Sequence, residues 1–121
     1  MRTLTKTYVV TDDMTASKFA SGTLDVFGTP ALIACMEDTA KTLMDEDLNE
    51  GDSSVGTKIS TTHVKASKVG ATIQVEAAIV KQEGRMYDFS IKAYEDGVLI
   101  GEGEHTRAVI NVERFLAKLN K

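Results

Sequence analysis

Glu37 lies within GTPALIACMEDTAKTLM (residues 28–44), a stretch that opens like a helix and is otherwise largely apolar. At helical spacing its neighbours are Ile33, Ala40 and Met44, so the carboxylate falls on a stripe that should be greasy. A poorly hydrated carboxylate suits acid–base or nucleophilic work. The alternative is a glutamate at the border of the stripe that reaches into water. Thr29 precedes Pro30, the only proline, and this pair reads as an N-cap threonine with proline at the first helical position. Its hydroxyl either satisfies a backbone N–H or, beside the free N–H groups of the helix start, touches a group on which negative charge develops.

His63 closes a period-two run in which Val55, Thr57, Ile59 and Thr61 share its face. It is either a hydrogen-bonded core residue or an imidazole placed for proton transfer. Gly56 falls on the opposite parity, where it could relieve a twist. Lys65 and Lys68, in HVKASKVG, are the compact basic patch beside His63, either solvated lysines at a strand end or contacts for an anionic ligand. On the last strand His105 and Arg107 alternate with Gly103, as a polar surface row or as ligand contacts. Two histidines without HxxxH or CxxC spacing argue against a metal site, and no GxGxxG or GxxxxGK[ST] loop is present to cradle a phosphate. Cys35, mid-helix among Ala31, Ala34 and Thr39, reads as a packing residue.

These residues need elements to hold them. LTKTYVV (4–10) predicts a strand with Leu4, Tyr8 and Val10 on one side. The polar segment that follows, punctuated by Gly22 and Gly28, predicts a loop with a helical turn near 15–20. The helix should run from Pro30 to about Met44, ending where DEDLNEGDSS crowds carboxylates against the negative end of its dipole and Gly51 allows a turn. The period then drops to two. Strands are predicted over 54–65, 71–81, 85–94 and 98–112, with Glu83-Gly84 and Asp96-Gly97 as hairpin turns. Gly101 and Gly103 mark a bulge or a close approach of another backbone. Val112, Phe115, Leu116 and Leu119 predict a short amphipathic helix at the end. Strand, long helix and four strands joined by tight turns make an α+β fold, an antiparallel five-stranded sheet with one long helix across it. The uncovered edges favour dimerisation.

A length of 121 residues with 42% hydrophobic content suits a single domain over residues 1–121. A net charge of −4 argues against a broad nucleic-acid surface. One cysteine cannot form an internal disulfide, and the start of the chain lacks the layout of a secretory signal, so a cytoplasmic setting is expected. Apolar runs of a few residues fall far short of the roughly 20 needed to span a bilayer, so no membrane partner is expected.

DVFGTPALIACMEDTA, then SSVGTKISTTHVKASKVGATIQVEA, then GEGEHTRAVINVERF together resemble the hot-dog thioesterases of the fluoroacetyl-CoA thioesterase type over roughly residues 5 to 116. The resemblance rests on three joined features: the Thr-Pro helix start with Glu eight residues on, the SVGT strand with His beyond its Gly, and the closing G-x-H-x-R. It implies a hot-dog fold, with a curved antiparallel sheet wrapped around a central helix and two subunits sharing one continuous sheet. It also implies catalytic Thr29, Glu37 and His63, with Gly56 at the acyl pocket. Of the aromatic lid, only Phe19 and Phe27 are available as counterparts. The expected activity is hydrolysis of an acyl-CoA thioester, with CoA as part of the substrate and no separate cofactor. Glu37 would act as base or nucleophile, His63 as acid or orienting partner and Thr29 as polariser of the carbonyl, while Lys65, Lys68 and Arg107 would contact substrate. A hot-dog dehydratase or hydratase and a non-catalytic acyl-CoA-binding dimer are the alternatives.

Eight residues of regular helix rise about 12 Å, so Thr29 and Glu37 of one chain cannot meet directly. The expected site therefore straddles the interface of a homodimer, with a dimer of dimers as a further level of assembly.

Overall fold

The computed structural model describes residues 2–121. Strand β1 (Thr3–Val9) is followed by a short helical turn at Asp12–Met14, helix α1 (Thr29–Asp45), strands β2 (Asp52–His63), β3 (Thr72–Glu83), β4 (Met86–Glu95) and β5 (Val98–Asn111), and helix α2 (Val112–Leu119). The helical turn lies a few residues before the expected 15–20, where the chain forms turns instead. The five strands form one antiparallel sheet in the order β1-β3-β4-β5-β2, so β1 and β2 are its two edges.

α1 packs against all five strands, which is the sheet-around-helix arrangement the resemblance implies. Its apolar residues recur at the spacing that presents one face: Ala31, Leu32, Cys35, Met36, Ala40, Leu43 and Met44 are buried. They meet Ile73, Val75 and Ala77 of β3 and Tyr87, Phe89, Ile91 and Ala93 of β4, the inward rows that the period-two pattern picks out. Cys35 belongs to this core, and burial pushes its thiol up to about 11, in keeping with packing. At the helix end, Arg2 pairs with Glu46 and Asp47, and the Tyr87 hydroxyl donates to Asp47 at 2.9 Å. These contacts offset carboxylates crowded at the negative end of the dipole.

The β4–β5 turn places both Asp96 (φ 51°) and Gly97 (φ 77°) in the left-handed region, as a type I′ turn requires. The glycines of β5 mark close backbone approach. A Cβ on Gly101 would lie 2.7 Å from the Thr62 carbonyl oxygen and 2.9 Å from Leu32 Cδ2, and one on Gly103 would collide with the Ser60 carbonyl.

Strand β2 departs from its expected alternation. Its register against β5 shifts between Gly56 and Lys58, so Thr57 is the extra residue of a β-bulge. One inserted residue exchanges the faces of everything before it. After the bulge Ile59 packs on the core and the Thr61 hydroxyl reaches Met36 Sδ at 3.6 Å. Before it, Ser54 and Gly56 are the residues that face the helix, in place of Val55 and Thr57. Gly56 therefore joins the inner face from which simple parity excludes it.

Candidate active site

The start of α1 and the end of β2 converge, and they bring Thr29 to His63. Gly28, extended at φ −79° and ψ 146°, is the N-cap. A Cβ there would sit 3.0 Å from the Ala16 backbone, so any side chain would press on that neighbour. Thr29 is thus the first helical residue and the helix starts one position earlier than expected, so the Thr29 hydroxyl is not spent on capping. It lies 2.9 Å from His63 Nδ1 instead. The Gly28 amide donates to Met14 and the Leu32 amide to Gly28. Among the described residues the amides of Thr29 and Ala31 make no such bond, and Pro30 has none, so two donors stay open at the positive end of the helix.

His63 stands edge-on to Phe27, ring centroids 6.0 Å apart and planes 76° apart. Burial pushes its pKa below the ordinary imidazole value, with a backbone group of Lys65 partly offsetting the effect. Its Nε2 is buried without a partner. The pair borders a cleft of about 260 Å3 whose wall includes Phe27, Gly28, Thr29, His63 and Lys65. Phe27 is only 2% exposed and forms wall, not lid, while Phe19 lies open at a separate cleft with Tyr8 and Cys35. Lys68 is exposed beside the bridge that pairs it with Val26.

Glu37 belongs to a second cluster, two helical turns on. A Cβ on Gly56 would stand 3.0 Å from Glu37 Oε2, 3.1 Å from His105 Cε1 and 3.5 Å from Arg107 Nη1, so these three side chains converge over the bare glycine. Arg107 Nη1 is 4.0 Å from Glu37 Oε2; its side chain is 8% exposed and that of Glu37 43%. The expectation of a poorly hydrated Glu37 is met only halfway within one chain. Arg107 donates through Nε to Ser54 Oγ at 3.0 Å and through Nη2 to the Ser54 carbonyl at 3.1 Å, and its Nη1 lies 3.2 Å from His105 Nε2. Both β5 residues are buried, which excludes the surface-row alternative and removes Arg107 from any open binding surface. The signal was present in the sequence: Gly101, Gly103, His105 and Arg107 share a parity, with Glu102 and Glu104 on the other. Ser54 is the member of the cluster that sequence reasoning missed; His105 was singled out only with Arg107, as a surface row or a ligand contact.

One subunit thus holds two halves: Thr29 with His63, and Glu37 with Gly56, Arg107 and His105. The profile of the fluoroacetyl-CoA-specific thioesterase family matches residues 10–113. The chain belongs to that family. Among relatives of the family, the fluoroacetyl-CoA thioesterase of Streptantibioticus cattleyicolor is 36% identical over 97 residues, which span 80% of this chain and 70% of that one. A solved mutant of the fluoroacetyl-CoA-specific thioesterase FlK, in complex with fluoroacetate and CoA, superposes with a TM-score of 0.89 at 31% identity, covering 94% of this chain and 96% of that one. A hot-dog-like protein from Thermanaerovibrio acidaminovorans, 20% identical, shares the fold with a TM-score of 0.89 over 98% of this chain and 87% of its own. The architecture is therefore the hot-dog fold, and the chain is a family thioesterase, a hydrolase of thioester bonds.

Proposed function

We propose that the chain hydrolyses an acyl-CoA thioester to a carboxylic acid and free CoA, acting in the cytoplasm as a homodimer with no cofactor beyond the CoA of its substrate. The observation that carries the reading is the Thr29–His63 pair at an open helix start, with His63 Nε2 buried and unpartnered. A thioester carbonyl docked there meets the free amide and the hydroxyl of Thr29 at the positive end of the helix, which stabilise the oxyanion as the carbonyl carbon becomes tetrahedral. His63 Nε2 is the nitrogen left to protonate the departing sulfur or to orient a carboxylate. Lys65 and Lys68 at the rim supply positive charge for the phosphates of CoA.

Glu37 supplies the remaining chemistry, as base on a water or as nucleophile forming a transient anhydride. Its reach to the thioester is provided by symmetry. β2 is an edge strand, and pairing it antiparallel with its own symmetry mate reverses its direction across the two-fold. The His63 end of one subunit then faces the Gly56 end of the other, and Glu37 packs over Gly56. Each composite site takes Thr29 and His63 from one protomer and Glu37 from its partner.

Thiol release across a panel of short, branched and aromatic acyl-CoAs, run beside Glu37→Ala, tests the activity. Loss of turnover in the variant with unchanged circular dichroism is expected. A change in enoyl absorbance without thiol release would instead identify a hydratase. Mixing Glu37→Ala with His63→Ala protein tests the shared site: dimers that exchange subunits should recover about a quarter of the wild-type rate, since half are mixed and each holds one intact site. No recovery would place all groups in one subunit.

A further inference from the structure

The Glu37 half-site contains a buried histidine to which the proposed hydrolysis assigns no task. His105 is 2% exposed and its ring is tilted against Phe89, centroids 6.0 Å apart. Both of its ring nitrogens are engaged. Nε2 lies 3.2 Å from Arg107 Nη1, and Nδ1 lies 2.7 Å from the Lys58 carbonyl oxygen. A guanidinium carries donors only, so Nε2 must accept, the ring proton must reside on Nδ1, and Nδ1 donates to Lys58. Lys58 is the residue that resumes the β2 register after the bulge.

The other side of the guanidinium is held by Ser54, through its hydroxyl and its carbonyl. That leaves Nη1 as the nitrogen directed at both His105 and Glu37. We infer that His105 is a positioning residue for Glu37: one ring nitrogen pins the bulge that brings Gly56 to the helix, and the other orients Arg107 toward the Glu37 carboxylate. The inference rests on the reading of Glu37 as the catalytic carboxylate. The geometry is specific to an imidazole because the two partners lie on opposite sides of one ring, a backbone carbonyl on β2 and a cation on β5 itself. The charged groups that face the ring are Arg107 from β5 and Glu37 from α1. A doubly protonated ring would set Nε2–H against the guanidinium, so the arrangement works with His105 neutral.

Two replacements divide the roles of the ring. His105→Gln carries an amide oxygen to where Nε2 stood, retaining an acceptor for Arg107; His105→Asn keeps a donor near the Nδ1 position for Lys58 and withdraws that acceptor. The expected result is a loss of roughly tenfold to a hundredfold in kcat for His105→Asn and a clearly smaller loss for His105→Gln, which keeps the Arg107 acceptor and gives up only the Lys58 donor, with KM little changed in both. In a Glu37→Gln background His105→Asn should cost nothing further, since residues acting through one another are not additive. Equal kcat for both variants, or losses that multiply with that of Glu37→Gln, would overturn the inference. Thermal melts of both variants separate loss of folding from loss of orientation, and a melt that drops equally in both with kcat unchanged reduces His105 to a packing residue. Full turnover by Glu37→Gln alone would instead remove the reading of Glu37 on which the inference rests.

Discussion

The Thr29 hydroxyl lies 2.9 Å from His63 Nδ1, across the junction where the central helix begins and the edge strand β2 ends. The contact exists because Gly28, not Thr29, caps the helix. Thr29→Val keeps the shape of the side chain and removes the hydroxyl; it should lower kcat by roughly a hundredfold. Thr29→Ser should retain most of it. Steady-state thiol release on both variants checks the pair, and equal turnover of the Val variant and wild type would take the hydroxyl out of the chemistry.

Gly56→Ala would set a methyl 3.0 Å from Glu37 Oε2 and 3.1 Å from His105 Cε1. The glutamate terminus can swing away, but the buried imidazole cannot, so the half-site must open. A stability loss of about 1–3 kcal/mol is expected, together with a fall in kcat larger than any change in KM. Urea unfolding and kinetics on the same preparation measure both. A fully active, fully stable alanine variant would show that the bare glycine is not what lets the cluster close.

Gly101→Ala probes the other half. The new Cβ would lie 2.7 Å from the Thr62 carbonyl and 2.9 Å from Leu32 Cδ2, and a backbone oxygen in a strand ladder has little room to retreat. Strand β2 should be pushed off β5 next to His63. The expected cost is at least about 1–3 kcal/mol, read as a lower urea midpoint at an unchanged m-value.

Acid should weaken the fold through its histidines. Burial depresses the pKa of both His63 and His105, and Arg107 pushes His105 down further while the Lys58 carbonyl and Glu37 oppose. Below the ordinary histidine value of about 6.5, the unfolded chain takes up protons that the native chain still refuses, so stability falls as pH drops from there toward the depressed native values. Asp38 adds a second fall at lower pH: its hydrogen bond to Lys6 lowers its pKa, and that stabilisation is lost as pH falls below the ordinary carboxylate value through the native one. Tm measured from pH 7.5 down to about 2 should show both descents, and His105→Gln should flatten the first. A flat Tm between pH 7 and 5 would contradict the assignment of buried neutral imidazoles.

Local periodicity and turn chemistry determined most of this molecule. Apolar spacing of four marked α1, spacing of two marked the inward rows of β3 and β4, and Asp96-Gly97 announced its turn, because each signal depends on residues within one element. The same locality made Glu37 and His63 visible as polar groups on apolar faces, and Thr29 visible as the residue before Pro30 at a helix start. What tertiary structure alone decided lay between elements. The close packing of Gly28 on Ala16 moved the cap by one residue and freed the Thr29 hydroxyl. The bulge at Thr57, which answers to the register of β2 against β5, turned Gly56 inward toward Glu37. The parity of β5 put His105 and Arg107 on one face with Gly101 and Gly103, but that they converge with Ser54 and Glu37 depended on β2 and α1 coming to lie beside them, and no window along one strand contains that fact. Spacing along the helix set Thr29 and Glu37 apart, since helical rise is fixed by the backbone; the partner each meets is a matter of which chains and strands come to lie beside them.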